Sequence, residues 1–264
     1  MAILQKVNVP SVDDGHAFTD ASRKDAIQKI TQDSPFRCIK SDGLSIIYQH
    51  ARFQPNRNYV LISCHIDSRY SIHFAKSCKI ELLGTLDNSI CVALLAMAMG
   101  QDLIDPQCLI CFTGDEEGYS SGAMETIMFL DKDPYLWQLL LMAIVLDVTA
   151  EAYTRDDFTF ENISEPQHPG LLHATINRIF PGFHPYCLTS DESDEDESDV
   201  FMQKDIPVFS LCIPVRPHSA LKNEDMDVWM HSDRGIFVRQ ASLEKYQHAL
   251  LKVSAGLLEQ RNFR

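Results

Sequence analysis

Tyr59-Val60-Leu61-Ile62-Ser63-Cys64-His65-Ile66-Asp67 is an almost unbroken apolar run that stops at an imidazole and a carboxylate. A run this short, with no alternation, is what a β-strand buried on both faces requires. Residues 108–113, 141–146 and 206–213 repeat the pattern, and 43–49 read as a further strand. Between them lie stretches with helical character. Residues 20–32 place Ala21, Ile27 and Ile30 on one face behind a capping Asp20. Residues 88–99 are rich in Ala, Leu and Met and end at Gly100. Residues 120–130, 171–180 and 241–260 complete the set. Apolar strands alternating with helices predict an α/β fold, a mostly parallel central sheet with helices on both faces.

Bulk composition narrows the function. With 264 residues and 45% hydrophobic side chains, the chain can bury a large core, and it is expected to form a single domain over residues 1–264. The formal charge of −14 argues against a nucleic-acid partner, because phosphate backbones are bound by basic footprints. The longest apolar runs, 91–99 and 139–146, fall short of the roughly 20 residues of a membrane helix, so no membrane partner is expected. The eight cysteines have no framework spacing and the first residues lack a signal-peptide core, which together predict a cytoplasmic protein. No feature marks an oligomer interface.

Five short stretches end in residues that bind metal. They are His65-Ile66-Asp67, Asp87-Asn88, Asp115-Glu116-Glu117-Gly118, Leu146-Asp147-Val148-Thr149 and Met230-His231-Ser232. Two imidazoles, two aspartates and one glutamate suffice for two Zn²⁺ ions, with a second glutamate left as a base. Cobalt or manganese would suit the same donors. Most of these residues follow an apolar strand, and ligand sites of such sheets lie beyond the carboxyl ends of the strands.

This series of motifs, from about Tyr59 to Tyr246, resembles the co-catalytic zinc exopeptidases. It is most similar to their compact single-domain aminopeptidase family, which also contains the glutaminyl cyclases. Glu197-Ser198-Asp199-Val200-Phe201, leading into Ile206-Pro207-Val208, adds to the likeness. Larger relatives insert a second domain after the first His or after the Leu-Asp motif, and the corresponding gaps here have no room for one. The resemblance implies that His65 and Asp147 hold the first zinc, that Asp87 bridges, and that Glu117 and His231 complete the second. It implies Asp67 behind His65 and Glu116 as general base. His218, in Pro217-His218-Ser219, shares the His-Ser form of His231 and is the alternative last ligand. The implied activity is an aminopeptidase acting on peptide or aminoacyl substrates. A deacylase, a carboxypeptidase, a glutaminyl-cyclase-like enzyme or a non-catalytic binding descendant remain as alternatives on the same scaffold.

Other features have plainer readings. Cys108 and Cys111 have metal-ligand spacing, but within a strand residues three apart face opposite ways, which predicts core packing. The acidic loop 188–199, with its run Asp191-Glu192-Ser193-Asp194-Glu195-Asp196-Glu197-Ser198-Asp199, reads as solvated chain held open by like charges. Asp115 is read as structural.

Overall fold

The computed structural model describes residues 21–67, 70–73, 79–82, 86–149, 157–167, 169–181, 196–217 and 236–259. Seven strands form one sheet in the order β1-β2-β6-β3-β7-β9-β8. They are β1 (Phe36–Lys40), β2 (Ser45–His50), β3 (Tyr59–His65), β6 (Cys108–Thr113), β7 (Leu140–Thr149), β8 (Thr159–Ser164) and β9 (Val208–Pro214). Tyr70–His73 (β4) and Lys79–Leu82 (β5) form a separate antiparallel pair.

The sheet is mixed, which corrects the expectation of a mostly parallel one. β6, β3, β7 and β9 are parallel neighbours, and these are the four continuous apolar runs. β1, β2 and β8 join antiparallel at the flanks. Parallel pairing demands a crossover and burial on both faces, so it leaves a strong apolar signature. Flanking strands reached through short turns need neither. β1 reads Phe-Arg-Cys-Ile-Lys and shows only Phe36 fully to the core.

Side-chain alternation divides the core into two layers. From β3, Val60, Ile62 and Cys64 pack into one layer with Ile27, Leu95, Leu172, Tyr246 and Leu250. These come from the helices Ala21–Thr31, Ser89–Gly100, Leu171–Ile179 and Gln240–Glu259. Tyr59 and Leu61 point the other way, toward Ala123, Ile127, Leu136 and Phe201. That second layer is built by the helices Ser121–Asp131, Pro134–Leu139 and Glu197–Met202. Each fully buried Leu, Ile, Val or Phe stabilises the fold by about 1.5–3 kcal/mol, so the central strands are the most firmly held part of the chain. Cys108 and Cys111 fall in opposite layers, both buried, as strand alternation requires. Among the described residues no helix is long and apolar enough to cross a membrane.

The order β6-β3-β7 positions the site. From β3 the chain crosses to β6 on one side, then returns past β3 to β7 on the other. This reversal leaves a crevice at the carboxyl end of β3, where open α/β sheets place their ligands. His65 is the last residue of β3.

Candidate metal centre

His65 is buried at that strand end, with a carboxylate on each side of one ring nitrogen. Its Nε2 lies 3.2 Å from Asp87 Oδ1 and 3.4 Å from Asp147 Oδ1. One ligand-type atom from each of the three residues lies within 4.8 Å of the others. On the far side of the ring, Nδ1 lies 3.5 Å from Asp67 Oδ1 and 3.8 Å from Glu116 Oε2.

Each element delivers its residue for a local reason. Asp147 sits near the end of β7 beside β3, and its Oδ1 accepts the Val148 N–H at 2.7 Å. Asp87 lies just before the helix Ser89–Gly100, and the Asp87–Asn88 peptide is cis. Asn88 Nδ2 donates to the Leu146 carbonyl at 2.6 Å. Glu116 and Glu117 open the short helix Glu116–Tyr119 after β6. The turn before it is pinned from two directions, by Gly114 N–H to the Leu44 carbonyl at 2.8 Å and by Gly122 N–H to the Gly114 carbonyl at 3.0 Å. Asp115 takes φ +65°, and its carboxylate accepts from the Ser121 hydroxyl, a structural part as expected.

Asp67 joins two of these motifs. One oxygen faces His65, and the other accepts the Glu117 N–H at 3.0 Å. A carboxylate behind a ligating imidazole fixes its tautomer and leaves the other nitrogen free to bind. Burial pushes the Asp67 carboxyl up, but His65 and the N–H groups of Glu117 and Glu116 outweigh it and hold Asp67 below its ordinary range.

Asp147, Glu116 and His65 are driven toward protonation. Burial raises Asp147 to about 7, with further repulsion from Asp87. Glu116 is pushed well up by burial, and then by the charges of Asp147, Asp87 and Glu117. His65 resists burial because the Glu116 and Asp147 carboxylates favour its cationic form, and it rises well above its ordinary value. Several acids crowded around one buried imidazole form a donor set that a divalent cation would relieve. The residues fit a zinc ion, which takes imidazole nitrogen and carboxylate oxygen in open sites.

The structure brings His65, Asp67, Asp87, Glu116 and Asp147 together at one rim of the sheet. Glu117 enters through its backbone N–H and through its charge on Glu116. His231 and its alternative His218 lie outside the described residues.

Two further contributors were not among the site residues expected from the sequence. Arg23, buried in the helix Ala21–Thr31, donates to the carbonyl of Ile66, the residue between His65 and Asp67. Glu197 is fully buried behind the site, its Oε2 accepting from Ser63 Oγ at 2.8 Å. This corrects the reading of the acidic run for its last residues. Asp196 caps the helix Glu197–Met202 through Ser198 N–H at 2.6 Å and accepts from Ser210 Oγ at 2.6 Å. Residues 191–195 lie outside the described residues.

No protein-family model matches the chain, and comparison with curated proteins finds no match. Solved structures do. A glutaminyl cyclase from an Acidobacteriales bacterium superposes with a TM-score of 0.61 at 13% identity, covering 98% of this chain and 92% of that one. The LapA aminopeptidase of Legionella pneumophila gives 0.60 at 12% identity, covering 98% and 69%. The zinc aminopeptidase BSAP of Bacillus subtilis gives 0.53 at 16% identity and covers 79% of this chain. The chain spans about half the length of that enzyme, 48% of it. At these identities the likeness is one of architecture: the chain has the fold of the zinc aminopeptidases and of glutaminyl cyclase.

Proposed function

We propose that this protein is a metal-dependent hydrolase of amide bonds, acting as an aminopeptidase on peptide or aminoacyl substrates. The observation that carries the reading is His65 Nε2 flanked by Asp87 and Asp147, with ligand atoms of all three within 4.8 Å. In this reading His65, Asp87 and Asp147 would hold one zinc ion, and Asp87, Glu117 and His231 would hold a second. Bound zinc would polarise the substrate carbonyl and lower the pKa of water.

The remaining chemistry belongs to the chain. Asp67 keeps the His65 proton on Nδ1, so that Nε2 is a donor of electrons only. Glu116 acts as the general base, taking a proton from the attacking water and returning it to the leaving nitrogen. The fixed turn Gly114–Glu117 holds that carboxylate in place, which is what a base needs more than an ideal pKa.

A second reading, glutaminyl-cyclase-like, draws support from size. The cyclase is covered over 92% of its length, against 48% for the Bacillus subtilis aminopeptidase. A cyclase has the same need for a polarised carbonyl and a carboxylate that moves a proton, but its nucleophile is the substrate's own amine.

The deciding experiment measures metal content and then turnover on a panel. Amino-acid anilides, N-acylated amino acids and peptides with an N-terminal glutamine separate aminopeptidase, deacylase and cyclase. Near two equivalents of zinc with anilide hydrolysis is expected. Far less metal and no turnover on any of the three would leave a binding protein on this fold.

A further inference from the structure

Glu197 is a fully buried carboxyl that takes no part in the chemistry above. Its surroundings explain why a costly buried acid stands there. Ser63, its donor at 2.8 Å, is two residues before His65 on β3. The Thr113 hydroxyl faces the same carboxyl from the end of β6, directly before the Gly114–Glu117 turn. His65 and Thr113 are themselves register partners, and Ile66 N–H donates to the Thr113 carbonyl at 2.7 Å. Glu197 is thus bonded to the strand that ends in His65 and lies beside the root of the turn that carries Glu116. Its neighbour Asp196 grips Ser210 on β9 at 2.6 Å. Two consecutive acids at one helix start therefore reach across the parallel strands to β3 and β9, along the register row Ser63, Val145 and Ser210, two residues before Asp147 on β7.

We propose that Glu197 is a positioning residue, which sets the spacing between the His65 strand end and the Glu116 turn and thereby preorganises the metal site. An apolar side chain would fill the same space more cheaply, since an ionisable group is costly in such surroundings. It could not accept from Ser63 while presenting a polar group to Thr113. Groups behind the ligands commonly change metal affinity when lost, by about 10- to 100-fold.

The proposal rests on the zinc-site reading, and its test separates the two. Zinc dissociation constants are measured by chelator competition for the wild type, Glu197→Leu and Glu197→Gln, beside kcat and KM. Glu197→Leu should bind zinc about 10- to 100-fold more weakly. Its kcat should fall with KM little changed. Glu197→Gln, which keeps an acceptor for Ser63 and offers a donor to Thr113, should restore zinc affinity to within a few-fold. A role confined to folding would lower the unfolding midpoint of the leucine variant and leave its zinc affinity intact, and that outcome overturns the proposal. Should Glu197→Leu fail to fold, Ser63→Ala removes the same hydrogen bond at smaller cost. Unchanged zinc affinity there would overturn it equally. A wild type that binds no zinc sinks the zinc-site reading and this proposal together, whereas equal binding by wild type and variants sinks only the proposal.

Discussion

Asn88 Nδ2 donates to the carbonyl of Leu146 at 2.6 Å, so the residue after Asp87 is fastened to the residue before Asp147. Two carboxylates from unrelated elements are held at one spacing by a single buried amide. Asn88→Ala removes the donor and leaves the Leu146 carbonyl short of it, a loss of about 1–3 kcal/mol. Denaturant unfolding should show that loss, and chelator competition should show weaker zinc binding. An alanine variant with native zinc affinity would mean that the helix alone positions Asp87.

Glu116→Gln tests the base directly. Gln is nearly isosteric and keeps the site filled, so fold and zinc content should match the wild type. Turnover should fall by about 10²-fold or more, the usual contribution of a positioned general base. Near-normal kcat in a zinc-loaded variant would assign the proton transfer elsewhere.

Gly122→Ala tests how tightly the acidic turn is packed. A Cβ at Gly122 would sit 2.6 Å from both the nitrogen and the carbonyl oxygen of Gly114. Backbone atoms cannot rotate away as a flexible side chain can, so the turn must shift. Overpacking of this kind costs about 1–3 kcal/mol. The thermal midpoint should drop, and kcat with it, because Glu116 lies just beyond the displaced residue.

Burial pushes Glu197 from an ordinary 4.5 to about 7, and this sets a pH dependence for the metal-free protein. Its raised folded pKa favours the native state while the proton is bound. The contribution is fully present below about 4.5, shrinks as the unfolded chain releases its proton, and is gone above about 7. Urea midpoints of the chelator-treated protein should therefore fall over that interval, and Glu197→Gln should flatten the slope. An identical slope in the variant would place the effect on other acids.

The parts of this molecule that were legible in sequence share a physical cause. Strands β3, β6, β7 and β9 are buried on both faces, so composition alone marks them, and His65 and Asp147 fall where those runs stop. Asp87 was legible because it precedes an apolar helix. The direction of β2 and the existence of β1 and β8 depend on neighbours and short turns, to which a local pattern is blind. The misreading of Glu197 has the same origin. Among the neighbouring acids its side chain looks solvated, and only Ser63, far away in the chain, makes it an interior residue. Arg23 was invisible for a like reason, since its partner is a backbone carbonyl.

β3 is bonded to β6 along one edge and to β7 along the other, and every residue from Tyr59 to His65 is buried. Amide protons there can meet deuterium from solvent only when the whole sheet comes apart. The imidazole at the strand's end thus shares the fate of the most protected segment of the chain. Heating should abolish cation retention and native structure in one step, with no loosened yet folded intermediate between them.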